Sequence, residues 1–497
     1  MYKRVSLVAS AMLSIERPPP GLAFLAGTCE TKNIDYTVFD LNLFIIDYFG
    51  SDRWEELAAI TSGFVINATG EVRKELEQAA YHAATKILKD DPDLIAITSF
   101  SSLQIAWTAE ILKQIRKLSN TTIIAGGPGI SYEQETNKTA GKILAEQDLL
   151  DYYVLGEGDL VFGQFLSGQI ELGVNKKNSK FENWVPQIDN LDSLPLPSYK
   201  KLSIDKYQPI IKNTPTVLTI TGSRGCVRRC TFCDVGHLWK KFRFRSANSI
   251  VTEIVKHYND VGCLHYVFSD SLINGSTKQF VNVMEELINL QKIYPDFKKI
   301  KYSGQFIIRP KKHHPEYMFQ LMKNSGCDQI QVGIESASEK VREHIGKKFS
   351  NEDIDYHLEM CEKYGIKNNI LMMVGYPTET LEDFQMNINF YIKYQKYIIN
   401  DTILSTSLDT PMMILKNTPI YQMQDELGIM IHDTQYTNML NWTSSSNPEL
   451  TVKERCRRYI SLIKLMIKLR YPRISAQTKL LNLHMNELIK VHKGKKL

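Results

Sequence analysis

A chain of 497 residues is long enough for about three domains. Its hydrophobic fraction of 43% and charged fraction of 23% are those of an ordinary globular protein, which excludes a disordered or low-complexity chain. The net charge of +5 gives no indication of nucleic acid, no apolar run is long enough to span a bilayer, and no secretory signal is visible, so the expected compartment is the reducing cytoplasm.

Residues 1–172 alternate short apolar strands with amphipathic helices. Strands are predicted at Val5–Ser10, Tyr36–Asp40, Asp93–Phe100, Thr121–Gly127 and Tyr152–Gly158. Helices are predicted from Gly21 to Lys32, from Gly70 to Leu88 and over 103–118. This alternation indicates an α/β unit: a Rossmann-like, doubly wound parallel sheet with helices on both faces. Ligands of such sheets sit beyond the carboxyl ends of the strands. The polar and glycine-rich segments Thr98–Ser102, Gly126–Gly129 and Gly156–Asp159 fall there. Residues 173–215 read as a linker, polar at first and then carrying Leu194-Pro-Leu-Pro197, which disfavours helix.

From Thr216 the alternation restarts, with strands predicted at 216–221, 265–270, 302–308, 329–334, 369–374 and 403–409. Six successive strand–helix units suit a partial (β/α)6 barrel over 216–414, with its chemistry at the carboxyl ends of the strands. Residues 415–497 lose the strand pattern and read as a helical C-terminal domain, with helices at 419–427, 451–470 and 475–491. The dense lysines and arginines of the last forty residues fit a solvated helix face.

The first barrel strand runs directly into Cys226-Val-Arg-Arg-Cys230-Thr-Phe-Cys233. Three thiolates at this spacing can hold three irons of a [4Fe–4S] cluster and leave the fourth iron open. Clusters that only carry electrons usually have four cysteine ligands. The competing reading is a Cys3His zinc site that uses His237. Cys29, Cys263, Cys327, Cys361 and Cys456 are scattered singly and read as small core residues. Tyr391, Tyr394 and Tyr397 follow helical spacing and read as packing, and His313-His314 before Pro315 as the start of a helix.

With Phe232 just before its last cysteine, the loop resembles that of the radical S-adenosylmethionine (SAM) superfamily. Thr221–Cys226 looks like the family's entry to the cluster loop, Gly333-Ile-Glu335-Ser336 like its fourth-strand end, and Met373-Val-Gly375-Tyr-Pro377-Thr-Glu-Thr380 like its fifth-strand turn. The resemblance implies that Cys226, Cys230 and Cys233 hold the cluster and that the open iron chelates SAM. An electron from the cluster would then cleave SAM to a 5'-deoxyadenosyl radical. Glu335 and Ser336 would lie near the ribose, and Gly375 and Pro377 beside the adenine. Phe268-Ser-Asp270-Ser departs from the Gly-Gly-Glu of many members and looks like a variant of cobalamin-associated ones. Asp270 either serves the SAM amine or faces substrate. Arg309 either meets the SAM carboxylate or is a surface arginine.

The N-terminal segment resembles the cobalamin-binding domain fused to such barrels, through Arg17–Ala26, the serines after the third strand, Gly126-Gly127-Pro and Leu155–Asp159. This implies a corrinoid at Ser99, Ser101, Ser102, Gly126, Gly127 and Gly156, where small residues leave room for a bulky ligand. No D-x-H-x-x-G occurs, so no histidine is in place to ligate cobalt from below. The expected activity is cobalamin-dependent methylation of an unactivated carbon on a small molecule or peptide, with an electron donor such as flavodoxin or ferredoxin. The alternatives are rearrangement, cyclisation or oxidation without methyl transfer, in a domain with or without cobalamin, and a non-catalytic iron–sulfur sensor or scaffold.

Overall fold

The computed structural model describes residues 2–11, 16–50, 53, 66, 68–133, 138–169, 173–179, 181–207, 215–408, 410–432 and 440–471. The helix expected at 475–491 and position 409 of the last expected strand lie outside them. The chain forms two compact units, Met1–Ile220 with Ser249–Tyr266, and Thr221–Asn248 with Val267–Leu497.

In the first unit, β1 (Arg4–Ala9), β2 (Asp35–Asp40), β3 (Leu94–Thr98), β4 (Thr122–Gly126) and β5 (Tyr152–Gly156) pair in parallel in the order β2-β1-β3-β4-β5. Runs such as Leu94-Ile-Ala-Ile are apolar throughout because both faces of a doubly wound sheet are covered. On one face Ile95, Ile97, Ile123, Ala125, Tyr153 and Leu155 share a core with the helices Gly70–Ile87 and Ile105–Leu118. The helices Pro20–Thr31 and Gly158–Leu166 pack on each other, with Pro20 in the first helical turn. Strand order reverses between β1 and β3, so a crevice opens at their carboxyl ends. Two edge strands add to β5: β6 (Val174–Asn175) antiparallel and β7 (Trp184–Val185) parallel. They arise within the segment read as a linker, because two residues are too few for a hydrophobic period to register.

From β8 (Leu218–Ile220) the chain forms a hairpin of β9 (Ser223–Arg224) and β10 (Arg243–Phe244). Then follow β11 (His265–Phe268), β12 (Lys301–Phe306), β13 (Cys327–Glu335), β14 (Lys367–Met372) and β15 (Ile403–Ser407). Six of these strands make one sheet in the order β8-β11-β12-β13-β14-β15, each beside its successor in the sheet, as a partial barrel requires. The helix read at 419–427 is a single turn, Pro419–Gln422, followed by an antiparallel ribbon of β16 (Ile429–Ile431) and β17 (Trp442–Ser444). The fully buried Trp442 anchors that ribbon by donating from Nε1 to Met412 O at 3.1 Å. The helix Val452–Lys468 is capped by Thr451, whose side chain accepts from Glu454 N. Cys29, Cys263, Cys327, Cys361 and Cys456 are all buried, whereas the three loop cysteines are half-buried.

Candidate active site

The cysteine loop is closed at its base by β9 and β10. Gly225 sits at φ +88°, and a Cβ there would overlap Lys241 O, so only glycine lets the two arms meet. Within the loop Arg228 N–H points at Cys226 Sγ (3.4 Å) and Cys233 N–H donates to Cys230 O (3.1 Å). Thr231 pins the loop three times. Its N–H donates to Ile345 O (3.0 Å), its carbonyl accepts from Ile420 N (2.8 Å), and its hydroxyl meets Tyr376 OH (2.9 Å). Phe232 and Cys230 rest against the core of Val341, Ile345, Tyr376 and Trp442. Burial pushes the Cys233 thiol up to about 11 and raises that of Cys230, which nearby Lys347 partly offsets. Metal binding would therefore release protons from this loop.

The same unit brings the other barrel motifs to this loop. Glu335 ends β13 at φ +70°, a conformation a long side chain seldom holds unaided. Its Oε1 lies 3.1 Å from Lys347 Nζ, and its carbonyl accepts from Met373 N at 2.7 Å. Ser336 is buried, and its hydroxyl accepts from Ser338 N and donates to Asn387 Oδ1. Gly375 N–H donates to the Glu379 carboxylate at 3.2 Å, and Pro377 O accepts from Asn447 Nδ2 at 3.0 Å. Tyr376 OH, between those two residues, also donates to His344 O at 3.3 Å. Asp270 is buried and accepts from Gly222 N–H at 2.8 Å, which ties the β11 end to the entry of the cysteine loop. Arg309 is half-buried and donates to Asn274 O (2.8 Å) and Gly275 O (2.9 Å) rather than extending into solvent.

Three clamping groups were not found from sequence. Lys347 carries no motif of its own. Arg455 and Arg458 lie three apart on the helix Val452–Lys468, and both are buried. Arg455 stacks over Trp442 at 3.6 Å and donates to Leu450, Leu440 and Trp442 carbonyls. Arg458 binds Glu379 Oε1 at 2.9 Å and the carbonyls of Glu379 and Thr380. Removing Arg458 leaves the buried Glu379 carboxyl and the carbonyls of Glu379 and Thr380 without their donor, so Arg458→Met is expected to cost about 3–5 kcal/mol. Denaturant unfolding of variant and wild type checks this.

Burial also raises two carboxyls, Asp270 and Glu379, each to about 7 from 3.8 and 4.5. The folded chain keeps these protons to higher pH than the unfolded chain does. Folding therefore takes up protons in that window, and stability falls as pH rises from about 4 to 7. Asp270→Asn is expected to flatten part of the fall, measured as unfolding free energy at pH 5 and pH 8.

In the first unit the loops beyond β3, β4 and β5 interlock. Gln104 Oε1 accepts from Ser99 Oγ (3.1 Å), Phe100 N (2.8 Å) and Ser101 N (2.9 Å), and Gln104 Nε2 donates to Ser10 O (2.9 Å). Ser101 caps the turn that follows, Ser102–Gln104, and the capping box Ser101-x-x-Gln104 is visible in the sequence. Gly127 has φ +100°, and a Cβ there would overlap Ser99 O. Gly126 ends β4 with only ordinary contact to Val154, and Gly156 N–H donates to Ser131 Oγ at 3.1 Å. The approach that Gly127 allows is thus made by the protein's own β3 loop. Ser102 is buried, and Phe100 stands out from this loop 69% exposed.

The donor sets can be weighed against the expected groups. Three half-buried thiols outside any disulfide, with an N–H aimed at one sulfur, fit a cluster that takes one thiolate per iron. Among the described residues no group of three or more His, Cys, Asp or Glu side chains is close enough to hold a single metal ion. For a corrinoid, the crevice beside β1 and β3 and the exposed Phe100 fit. Among the described residues no helix is long and apolar enough to cross a membrane.

Residues 220–391 match the Radical SAM superfamily. An uncharacterized methyltransferase of Pyrococcus horikoshii is 28% identical over 330 residues, covering 63% of this chain and 67% of the relative. Among solved structures, the radical S-adenosylmethionine methyltransferase TsrM from Kitasatospora setae, with cobalamin and a [4Fe-4S] cluster bound, superposes with a TM-score of 0.63. The match is 17% identical and covers 92% of this chain and 85% of TsrM. The cobalamin-dependent S-adenosylmethionine radical enzyme OxsB, with aqua-cobalamin and S-adenosylmethionine bound, gives 0.64 at 18% identity, over 98% of this chain and 71% of OxsB. At these identities the likeness speaks for the fold.

Proposed function

Because residues 220–391 match the Radical SAM superfamily, we propose that the chain is an enzyme that cleaves SAM at a [4Fe–4S] cluster and methylates an unactivated carbon with the help of cobalamin. The observation that carries this reading is the convergence on Thr231: one residue joins the cysteine loop to the helix after Glu335 and to the Gly375 turn. When bound, the cluster supplies the electron that breaks the sulfonium bond, and the corrinoid supplies a methyl carrier. Cys226, Cys230 and Cys233 would hold three irons. Glu335 and Ser336 would face the ribose, while Gly375 and Pro377 would border the adenine. Asp270 keeps the loop entry in place through Gly222, and Arg309 braces the β11 end through Asn274 and Gly275. TsrM and OxsB, both of the same fold, carry cobalamin, which supports the corrinoid here.

The substrate class is a small molecule or peptide, and reduction needs a low-potential donor such as flavodoxin or ferredoxin. An oxygen-sensitive cluster fits the reducing cytoplasm. A second reading, radical chemistry without methyl transfer, is favoured by one observation: at Gly127 the Cβ position is taken by Ser99 backbone rather than left open. Anaerobic turnover with SAM deuterated in its methyl group separates the readings. A product heavier by a labelled methyl supports methylation. 5'-Deoxyadenosine without labelled product supports the second reading, and no SAM cleavage at all points to a sensor or scaffold.

A further inference from the structure

We propose that Lys347 is a positioning residue that couples the strand end carrying Glu335 to the cluster loop: it fixes Glu335 for SAM and places a positive charge on the Cys230 side of the cluster. The inference rests on the radical SAM reading of the three cysteines.

Lys347 follows Gly346, the left-handed cap of the helix Glu339–Ile345. Its Nζ lies 3.1 Å from Glu335 Oε1 and donates to Gly333 O at 2.9 Å. Both charged side chains are only 9% exposed. A lysine so buried is seldom found without a partner. The pairing register of β13 with β14 slips between Gly333 and Glu335, and Glu335 carries the positive φ. The ammonium therefore grips both sides of the slip, one contact on each. Removing it would free Glu335 to relax out of its strained conformation.

The same segment borders the cluster loop. Thr231 N–H donates to Ile345 O at 3.0 Å. A Cβ on Gly346 would lie 3.3 Å from Arg229 O and 3.9 Å from Cys230 Cα. Reduction adds a negative charge to a cluster, so a nearby cation favours the reduced state, the more so where water is sparse. Glu335 acts in the opposite sense. Their separate removal should move the potential in opposite directions.

The test uses full-length, anaerobically reconstituted protein as wild type, Lys347→Met, Lys347→Arg, Glu335→Gln and the Lys347→Met/Glu335→Gln double variant. Redox titration followed by electron paramagnetic resonance gives the cluster potential, and equilibrium dialysis gives SAM affinity. Lys347→Met is expected to shift the potential negative and Glu335→Gln to shift it positive. The double variant should return close to wild type, and Lys347→Arg should stay there. SAM affinity should fall roughly tenfold, about 1.4 kcal/mol, in Lys347→Met, and the double variant should not recover it. Unchanged potentials in both single variants with the cluster filled would overturn the electrostatic role. Unchanged SAM affinity in Lys347→Met would overturn the coupling. Should Lys347→Met fail to hold iron, Glu335→Gln decides: a potential equal to that of wild type overturns the proposal. A wild-type protein without an iron–sulfur cluster would instead overturn the radical SAM reading.

Discussion

Replacing Cys226, Cys230 or Cys233 by alanine is expected to abolish SAM cleavage in each case, while the wild-type protein holds about four irons per chain after anaerobic reconstitution. The three positions have no substitute. The five other cysteines are buried, and burial pushes the thiols of Cys29 and Cys361 up to about 12 and raises that of Cys327, which disfavours the thiolate that iron requires. Cys263→Ala and Cys327→Ala should accordingly keep the iron content. Iron and sulfide assays with quantified 5'-deoxyadenosine check both halves. Stoichiometric zinc without iron in reconstituted wild type would refute the assignment.

Most of the parallel strands were legible because many are short apolar runs bounded by turn residues, as in Leu94–Thr98 and Thr122–Gly126. What escaped lies below or outside that signal. β6 and β7 are two residues long, and the β16–β17 ribbon depends on Trp442 finding Met412 and Arg455. In the site, motifs with fixed spacing were visible and their braces were not. Lys347, Arg455 and Arg458 work through tertiary contacts, and a basic side chain reads the same in sequence whether it faces water or a buried acceptor. Gln104 is the instructive exception. Its place three residues after Ser101 spells a capping box, so its grip on the serine loop could have been read in advance.

The serine and glycine loops are expected to bind a corrinoid without a protein histidine beneath the cobalt. They close the carboxyl ends of β3, β4 and β5, beside the point where strand order reverses, and no histidine occurs in the segments that follow β1, β3, β4 and β5. Incubation with hydroxocobalamin should therefore give a visible corrinoid spectrum and, on reduction, a cob(II)alamin signal unsplit by histidine nitrogen. Gly127→Trp should prevent this binding. Its side chain must displace the β3 loop at Ser99, and overpacking at a backbone contact leaves no flexible neighbour to yield. Iron content should be unchanged, because the cysteine loop belongs to the other compact unit. Phe100→Asp is the gentler variant, since the exposed ring carries no loop packing. If the macrocycle covers that ring, its loss forfeits about 1.5–3 kcal/mol of apolar burial, a roughly tenfold or greater weakening. Wild-type protein that takes up no cobalamin would remove methyl transfer and leave the SAM chemistry standing. A histidine-split signal would keep the corrinoid and move its lower face to a residue outside these loops.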